Sequence, residues 1–154
     1  MDLSLTATAT VGGMTPPSSG GLIAGTWILT LKGSTDVADL KAGDRIVTRS
    51  GVRTLRAIRE EAVPAARMIR ISASALGVDQ PEADLIVSPD QLVLLRDWRA
   101  KAMRGTGQAV MEAGSLIDGE YIRSETVSGF RRYTLQFDTP VVIYASGVEL
   151  ACTS

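Results

Sequence analysis

The stretch GLIAGTWILTLKGSTDVADLKAGDRIVT, residues 21–48, decides the fold class. β-branched and aromatic residues in Thr26–Leu31 predict a strand, and the turn signal Lys32-Gly33-Ser34 leads into a second strand at Thr35–Val37. A further tight turn then precedes an alternating strand at Arg45–Thr48. Three strands joined by tight turns in so short a stretch favour an all-β domain.

The rest of the chain repeats this pattern of short strands and turns. Predicted strands cover Val52–Ile58, Met68–Ile71, Leu85–Val87, Leu92–Leu95, Ala109–Met111, Tyr121–Ser124, Arg132–Phe137, Val141–Tyr144 and Val148–Ala151, with Pro64 interrupting the first two. Helix-forming residues in Asp97–Arg104 predict a helix that stops at Gly105, and helical turns are predicted at Ser72–Leu76 and Ala113–Ile117. We therefore expect a compact, mostly antiparallel β fold with one or two short helices.

Length and composition favour one soluble domain. A chain of 154 residues suits a single core. Met1–Gly20, rich in Thr, Ser, Gly and Pro, is predicted to be a flexible arm, although its Leu and Ala-Thr alternation leaves an edge strand open. Residues 21–154 then form the domain. The single cysteine, Cys152, excludes an internal disulfide.

Charge and hydropathy do not indicate a particular binding partner. The 16 basic and 17 acidic residues are spread along the chain, so we expect no nucleic-acid partner. No apolar run approaches the roughly 20 residues of a membrane span, and the N-terminus lacks the features of a secretory signal. We expect no membrane contact. A cytoplasmic location is compatible with the sequence, which does not specify the oligomeric state.

Several short motifs, in order, resemble the Hint domain, the fold shared by hedgehog autoprocessing domains and inteins. They are Gly25-Thr26 before the strand, the Asp39–Asp44 turn, the middle block Asp84–Gln91, and the closing strands Tyr133–Asp138, Val142–Ala145 and Gly147–Leu150. The sequence is similar to bacterial Hint proteins in which the module stands without a recognisable splicing context, from about Gly20 to the C-terminus. The resemblance implies that the first and last strands lie side by side, with Gly21 near Leu150.

In active members of that family, as the resemblance implies, the first residue is a Cys or Ser that attacks the preceding carbonyl. A middle-block His protonates the departing nitrogen, an Asp or His near the end assists, and in inteins a terminal Asn cyclises. Here Gly21 stands at the nucleophile position and Gln91 at the His position. Asp138 is followed by Thr139, where a His often stands. The whole chain contains no His and no Asn.

The first hypothesis is a Hint-like domain without self-processing that serves as a structural or protein-interaction module. Its candidate cleft for a peptide or protein segment comprises Gly21, Thr26, Ser88, Asp90, Gln91 and Asp138. Gln91 would fix backbone there, because an amide offers two donors and an acceptor. This hypothesis includes no catalytic residue, no metal and no cofactor.

The second hypothesis is autoprocessing by a hydroxyl of Ser18, Ser19 or Thr26, near residues 18–26, assisted by Asp90 or Asp138. General acid–base catalysis contributes roughly 100- to 10,000-fold in rate, so cleavage without a His should be slow. A small-molecule-binding barrel is a third alternative, which a preformed pocket would favour.

Other candidates have simpler explanations. Cys152 lacks a His to activate it, so a packing role is expected. Asp84, like Asp90 and Asp138, is expected to cap a turn. Trp27 and Trp98 are expected to pack. Gly105-Thr106-Gly107 lacks the following Lys-Ser/Thr of a phosphate-binding loop.

Overall fold

The structure is a computed structural model that describes residues 20–152. The strands are β1 Leu22–Ile23, β2 Trp27–Thr30, β3 Gly33–Asp36, β4 Arg45–Thr48, β5 Gly51–Thr54, β6 Ala57–Ile71, β7 Leu85–Val87, β8 Leu92–Leu95, β9 Ala109–Glu112, β10 Ile122–Gln136, β11 Val141–Ala145 and β12 Val148–Cys152. The helices are α1 Trp98–Arg104 and two 3₁₀ turns, Val37–Asp39 and Ala113–Leu116. Apart from Gly20, the predicted arm lies outside the described residues.

The three strands predicted at the start of the domain are present, but the second ends at a different residue. β2 and β3 pair in antiparallel register, and β4 occupies its predicted residues. The second predicted strand ends one residue early, because the Asp36 carboxylate accepts the Ala38 N–H at 2.9 Å and starts a 3₁₀ turn at Val37. An aspartate at this position satisfies an N–H that has no partner within the turn.

The larger sheet has the strand order β9-β8-β12-β11-β2-β4-β5, with β3 beside β2. Its pairings are antiparallel. The sheet therefore places the last two strands, β11 and β12, between the opening meander and the middle hairpin of β8 and β9. The predicted mostly antiparallel β fold is confirmed.

A second, closed arrangement joins β10, β1, β7 and β6. β6 and β10 are 15 residues each and pair along their whole length. The prediction that Pro64 splits β6 into two strands was wrong, as was the separation of Tyr121–Ser124 from Arg132–Phe137. β7 pairs with β6 only at residues 69–71, so β6 is an edge at Pro64, where proline is tolerated.

Alternation of buried and exposed residues builds the core. Along β11, Val141, Ile143 and Ala145 are buried, and along β2 Ile28 is fully buried between exposed Trp27 and Leu29. The largest fully buried side chains are Phe137, Ile28, Ile46, Leu55, Met68, Ile69, Ile71, Leu85, Leu95, Ile122, Ile143 and Leu150. Both strand groups contribute to this set, so one core joins them.

The predicted helix is present with its caps. The Asp97 side chain accepts the Arg99 N–H at 3.0 Å, and Gly105 ends the helix at φ 72°. The predicted helical turn at Ser72–Leu76 was wrong, because Ser74 has φ 61° and the segment forms a non-helical turn. Among residues 20–152, no helix is both long and apolar enough to span a membrane.

Candidate functional site

The corner Ser88-Pro89-Asp90-Gln91 connects β7 to β8 and is held from two sides. The Gln91 N–H donates to the Ser88 carbonyl at 3.0 Å and closes the turn. The Ser88 N–H donates to the Gly21 carbonyl at 2.9 Å. On the other side, the 3₁₀ turn after β9 donates the Ala113 N–H to the Gln91 carbonyl at 2.9 Å. The corner is therefore a rigid support for the Gln91 side chain.

The Gln91 side chain is 5% exposed and makes three hydrogen bonds to backbone. Its Oε1 accepts the Gly21 N–H at 3.2 Å. Its Nε2 donates to the Leu92 carbonyl at 3.1 Å and to the Ala151 carbonyl at 3.2 Å. One donor and two acceptors fix which end of the amide is oxygen. Gln91 thus joins the start of the domain to its last strand, and the predicted proximity of Gly21 to the Leu150 region is confirmed. The prediction that the first and last strands lie side by side was wrong, because β1 pairs with β10 and β7, whereas β12 pairs with β11 and β8.

The two glycines before β1 fit tightly against this corner. Gly20 has φ +68°, and a Cβ placed on it would clash with Gln91 Oε1. A Cβ on Gly21 would lie 2.5 Å from both Ser88 Oγ and Arg132 Cδ. The space that a nucleophilic side chain on residue 21 would need is therefore occupied by Ser88 and Arg132.

The structure brings together only part of the predicted cleft. Gly21, Ser88 and Gln91 are in contact, and Ser88 Oγ lies 3.9 Å from Met68 Sδ. Thr26 is buried, at 3% exposure. Asp90, in the corner itself, is partly exposed. Among the described residues, no hydrogen bond or ion pair joins Thr26 or Asp90 to the Gln91 side chain.

Asp138 lies outside this cluster. It is highly exposed and pairs with Arg56 at 3.3 Å, just beyond the end of β10. Thr139, next to it, is exposed. Ser18 and Ser19, two of the three hydroxyls considered as nucleophiles, lie outside the described residues. No titratable side chain is within hydrogen-bonding distance of Gln91 in residues 20–152.

The other titratable candidates serve the fold. Asp84 accepts the Ala73 N–H at 2.9 Å and pairs with Arg70 at 3.1 Å; the backbone bond and the guanidinium hold its pKa below the usual range. Cys152 packs partly buried against the core, and desolvation raises the pKa of its thiol to about 12. A thiol with that pKa is protonated near neutral pH, so it is a poor nucleophile. Within residues 20–152, no group of three or more His, Cys, Asp or Glu side chains is arranged to hold a metal ion.

Two predictions about the aromatic residues were wrong. Trp27 is 50% exposed and Trp98 is 69% exposed, so neither packs in the core. Trp98 instead lies under the Arg99 guanidinium, 4.8 Å from ring centroid to Cζ. Trp27 is on the outer face of β2, which the short alternating sequence did not distinguish from the inner face.

A cavity of about 420 Å³ lies between β8, the loop around Gln80 and the β11–β12 turn. Its charged lining is already paired. Arg96 binds Glu149 at 2.8 Å, and Asp97 binds Arg99. The cavity falls in the size range of ligand pockets, but its charged groups bind one another.

Sequence reasoning missed Arg132 and Ala151 as parts of the corner, whereas Gly20 was expected in the cleft beside Gly21. Gly20-Gly21 was a visible signal, since paired glycines mark a close backbone approach. Nothing local signals Arg132 or the Ala151 carbonyl, because both reach the corner through long-range pairing, of β10 with β1 and of β12 with β8.

Comparison with known proteins agrees with this architecture. A family model described as "Hint domain" matches residues 21–152. No curated protein matches the sequence.

Three solved structures illustrate the likeness. The solution structure of a bacterial intein-like domain from Clostridium thermocellum is 14% identical, with a TM-score of 0.60, and the match covers 87% of this chain and 98% of that chain. The TvoVMA intein is 10% identical, with a TM-score of 0.59 and coverage of 88% and 99%. The gp41-1 intein is 14% identical, with a TM-score of 0.57 and coverage of 85% and 97%. At these identities the likeness concerns the fold alone.

Proposed function

This chain belongs to the Hint domain family, and from that premise we propose that it has lost self-splicing and self-cleavage and acts as a structural or protein-interaction module. The observation that carries this proposal is the Gln91 side chain, whose acceptor and both donors are bound to the chain's own backbone. In this role Gln91 holds residue 21 and residue 151 at one corner of the domain.

The direction of the hydrogen bond at Gly21 supports the loss of chemistry. Cleavage of the Gly20–Gly21 bond requires a proton to reach the departing nitrogen of Gly21. Gln91 Oε1 accepts the N–H of that nitrogen, at 3.2 Å, and a neutral amide oxygen has no proton to give. The side chain therefore stabilises the intact peptide unit and offers no route for the leaving group.

The missing nucleophile supports the same conclusion. Gly21 has no attacking group, and Ser88 Oγ and Arg132 Cδ fill the place of a Cβ. The Ser88 hydroxyl is 2% exposed, and its neighbour is the Met68 sulfur, which is too weak a base to activate it. The corner thus lacks both the nucleophile and the acid of a self-processing site.

The test is intact-mass spectrometry of the full chain with one peptide tag before Met1 and another after Ser154. The protein is held at pH 7 for days, alone, with dithiothreitol, and with hydroxylamine, which cleaves esters and thioesters. We expect one unchanged mass in all three samples. Products separated between residues 18 and 26, formed at a rate independent of protein concentration, would overturn the proposal and support cleavage by a hydroxyl.

A further inference from the structure

The cavity of about 420 Å³ beside β8 combines buried aliphatic residues with a few polar side chains. Its aliphatic lining consists of four buried residues, Leu76, Leu94, Leu95 and Val148. Tyr144, partly buried on β11, adds an aromatic ring. A concave site with an apolar lining and a small number of polar groups is the usual form of a small-molecule site.

The cavity is preformed, because the two turns that border it are joined to each other. The Glu82 N–H donates to the Ser146 carbonyl at 2.9 Å and ties the loop of residues 72–84 to the β11–β12 turn. A Cβ on Gly147 would lie 2.5 Å from the Asp79 carbonyl oxygen, so the backbones of the two turns are in close contact. A ligand would therefore enter a site whose walls are already in place.

The same two turns contain left-handed backbone at residues other than glycine. Ser74 has φ 61°, Asp79 has φ 56° and Ser146 has φ 49°, and these are the non-glycine residues with positive φ within residues 20–152. Each lies within two positions of a residue that lines the cavity. Such backbone is uncommon and concentrates at ligand-binding and other functional segments. The strained backbone of the described chain thus borders one cavity.

The charged groups at the cavity bind one another. Arg96 binds Glu149 side-on, with Nε 2.8 Å from Oε1 and Nη2 3.1 Å from Oε2. With the partners just outside the lining included, three guanidiniums face three carboxylates, Arg49, Arg96 and Arg99 against Asp97, Asp118 and Glu149. Asp79 and Glu82 are exposed and do not line the cavity. A charged ligand would have to break one of these pairs, which is unfavourable, so the site favours an uncharged one.

Two polar side chains of the lining have no hydrogen-bond partner among residues 20–152. They are the Gln80 amide and the Tyr144 hydroxyl. An amide offers two donors and an acceptor, and a phenol offers one donor and can also accept. Together they can bind the carbonyl and the N–H of an uncharged polar group, while the aliphatic residues contact an apolar body.

We propose that this cavity binds an uncharged small molecule with an apolar body and one amide-like polar end. Gln80 and Tyr144 hold the polar end, and Leu76, Leu95 and Val148 contact the body. This binding goes beyond the interaction role proposed above. The cavity shares no residue with the Gln91 corner, so either proposal can fail alone.

The probe is 4-phenylbutanamide, titrated into the ¹⁵N-labelled full chain and followed by ¹H–¹⁵N correlation spectra. Two comparisons keep the phenylbutyl frame and change the charge: 4-phenylbutyrate is an anion and 4-phenylbutylamine a cation at pH 7. Butanamide lacks the phenyl group. We expect saturable shifts of the Leu76, Tyr144 and Val148 amides, with a millimolar Kd as a ligand of this size allows. Each comparison should bind at least about fivefold more weakly.

Tyr144→Phe and Gln80→Met each remove a polar group and keep the shape of the side chain. Each should weaken the binding of 4-phenylbutanamide about two- to tenfold, the effect of one hydrogen bond. Tyr121→Phe and Gln108→Met are the matched controls, because both residues are exposed and neither lines the cavity, and they should leave the Kd unchanged. Thermal melts confirm that each variant is folded.

Three results would overturn the proposal. The first is the absence of saturable shifts at the cavity amides. The second is binding of either charged analogue, or of butanamide, as tight as that of 4-phenylbutanamide. The third is an unchanged Kd in Tyr144→Phe or in Gln80→Met, which would show that the polar end of the probe is not held as proposed.

Discussion

Replacing Gln91 by alanine should destabilise the domain more than any single hydrogen bond would suggest. The side chain is buried, and its loss leaves the Gly21 N–H without its partner and removes a donor from two carbonyls. An orphaned buried group costs about 1–3 kcal/mol, and each lost bond to a partly buried carbonyl costs about 0.5–1.5 kcal/mol. These contributions sum to about 2–6 kcal/mol, and because both carbonyl bonds are only partly buried we expect a loss of about 3 kcal/mol in the free energy of unfolding.

The assay is urea unfolding followed by intrinsic fluorescence, supported by thermal melts. For a domain of this size, a loss of about 3 kcal/mol lowers Tm by roughly 6–12 °C. Gln108→Ala is the matched control, because Gln108 is exposed, and its change should stay within about 0.5 kcal/mol. A Gln91→Ala variant as stable as Gln108→Ala would refute the claim that Gln91 holds the two ends of the domain.

Gln91→Glu separates hydrogen bonding from shape. The carboxylate keeps the size of the amide and can still accept the Gly21 N–H, but its second oxygen faces the Leu92 and Ala151 carbonyls. Burial next to two carbonyl oxygens raises the pKa of the new carboxyl group. The protonated form of this carboxyl group is favoured in the folded state. The loss of unfolding free energy relative to wild type should therefore be smallest at low pH and grow as pH rises through the folded pKa. A deficit independent of pH would contradict this.

Three other perturbations give further tests. Gly20→Ala should lower the free energy of unfolding, measured in urea, by about 2–3 kcal/mol more than Gly105→Ala. Both glycines have φ near 70°, but only at Gly20 does a neighbouring atom occupy the place of a Cβ. Equal losses in the two variants would contradict the close fit at Gly20. Asp84, with its lowered pKa, stabilises the fold fully above its unfolded pKa of about 4, and that stability is lost as pH falls through the lower folded value. Asp84→Asn should therefore be less stable than wild type at pH 7 and lose less stability on acidification. The measurement is the urea midpoint of both proteins from about pH 5 to 2. Midpoints that fall in parallel for the two proteins would contradict a stabilising role of the Asp84 carboxylate. Cys152 should react with iodoacetamide at pH 8 roughly 1,000-fold more slowly in the folded chain than in urea, since its pKa is raised to about 12, and comparable rates would show an accessible thiolate.

Local patterns were sufficient for much of the fold. β4, β7 and β8 occupy the residues predicted from alternation and turn signals, and α1 was predicted from its helix-forming residues and the glycine that ends it, Gly105. These signals operate within a few residues, so the sequence contains them directly. The long strands β6 and β10 were missed because their continuity depends on pairing with each other across 51 to 79 residues, from Ile122 with Ile71 to Gln136 with Ala57. Pro64 was misread for the same reason, since only the sheet shows that it lies on an edge.

The position of the candidate site could be predicted from the sequence, but the hydrogen-bond partners of Gln91 could not. Gln91 and Gly21 were identified through the family motif, and the capacity of Gln91 to bind backbone followed from its chemistry. Its bond to the Ala151 carbonyl depends on β12 lying beside β8, which no local pattern predicts. The exposure of Trp27 likewise depends on which face of β2 meets the core.

Hydrogen exchange at the Gly21 amide shows whether Gln91 holds the start of the domain. The amide is buried and donates to Gln91 Oε1, so it should exchange only when the domain unfolds, with a protection factor within about tenfold of the amides in β11 and β12. The Gln91→Ala variant should lose that protection at Gly21 while keeping it in β11. Rapid exchange at Gly21 in the wild-type chain, comparable to that of exposed turn amides, would show that Gln91 does not hold this amide.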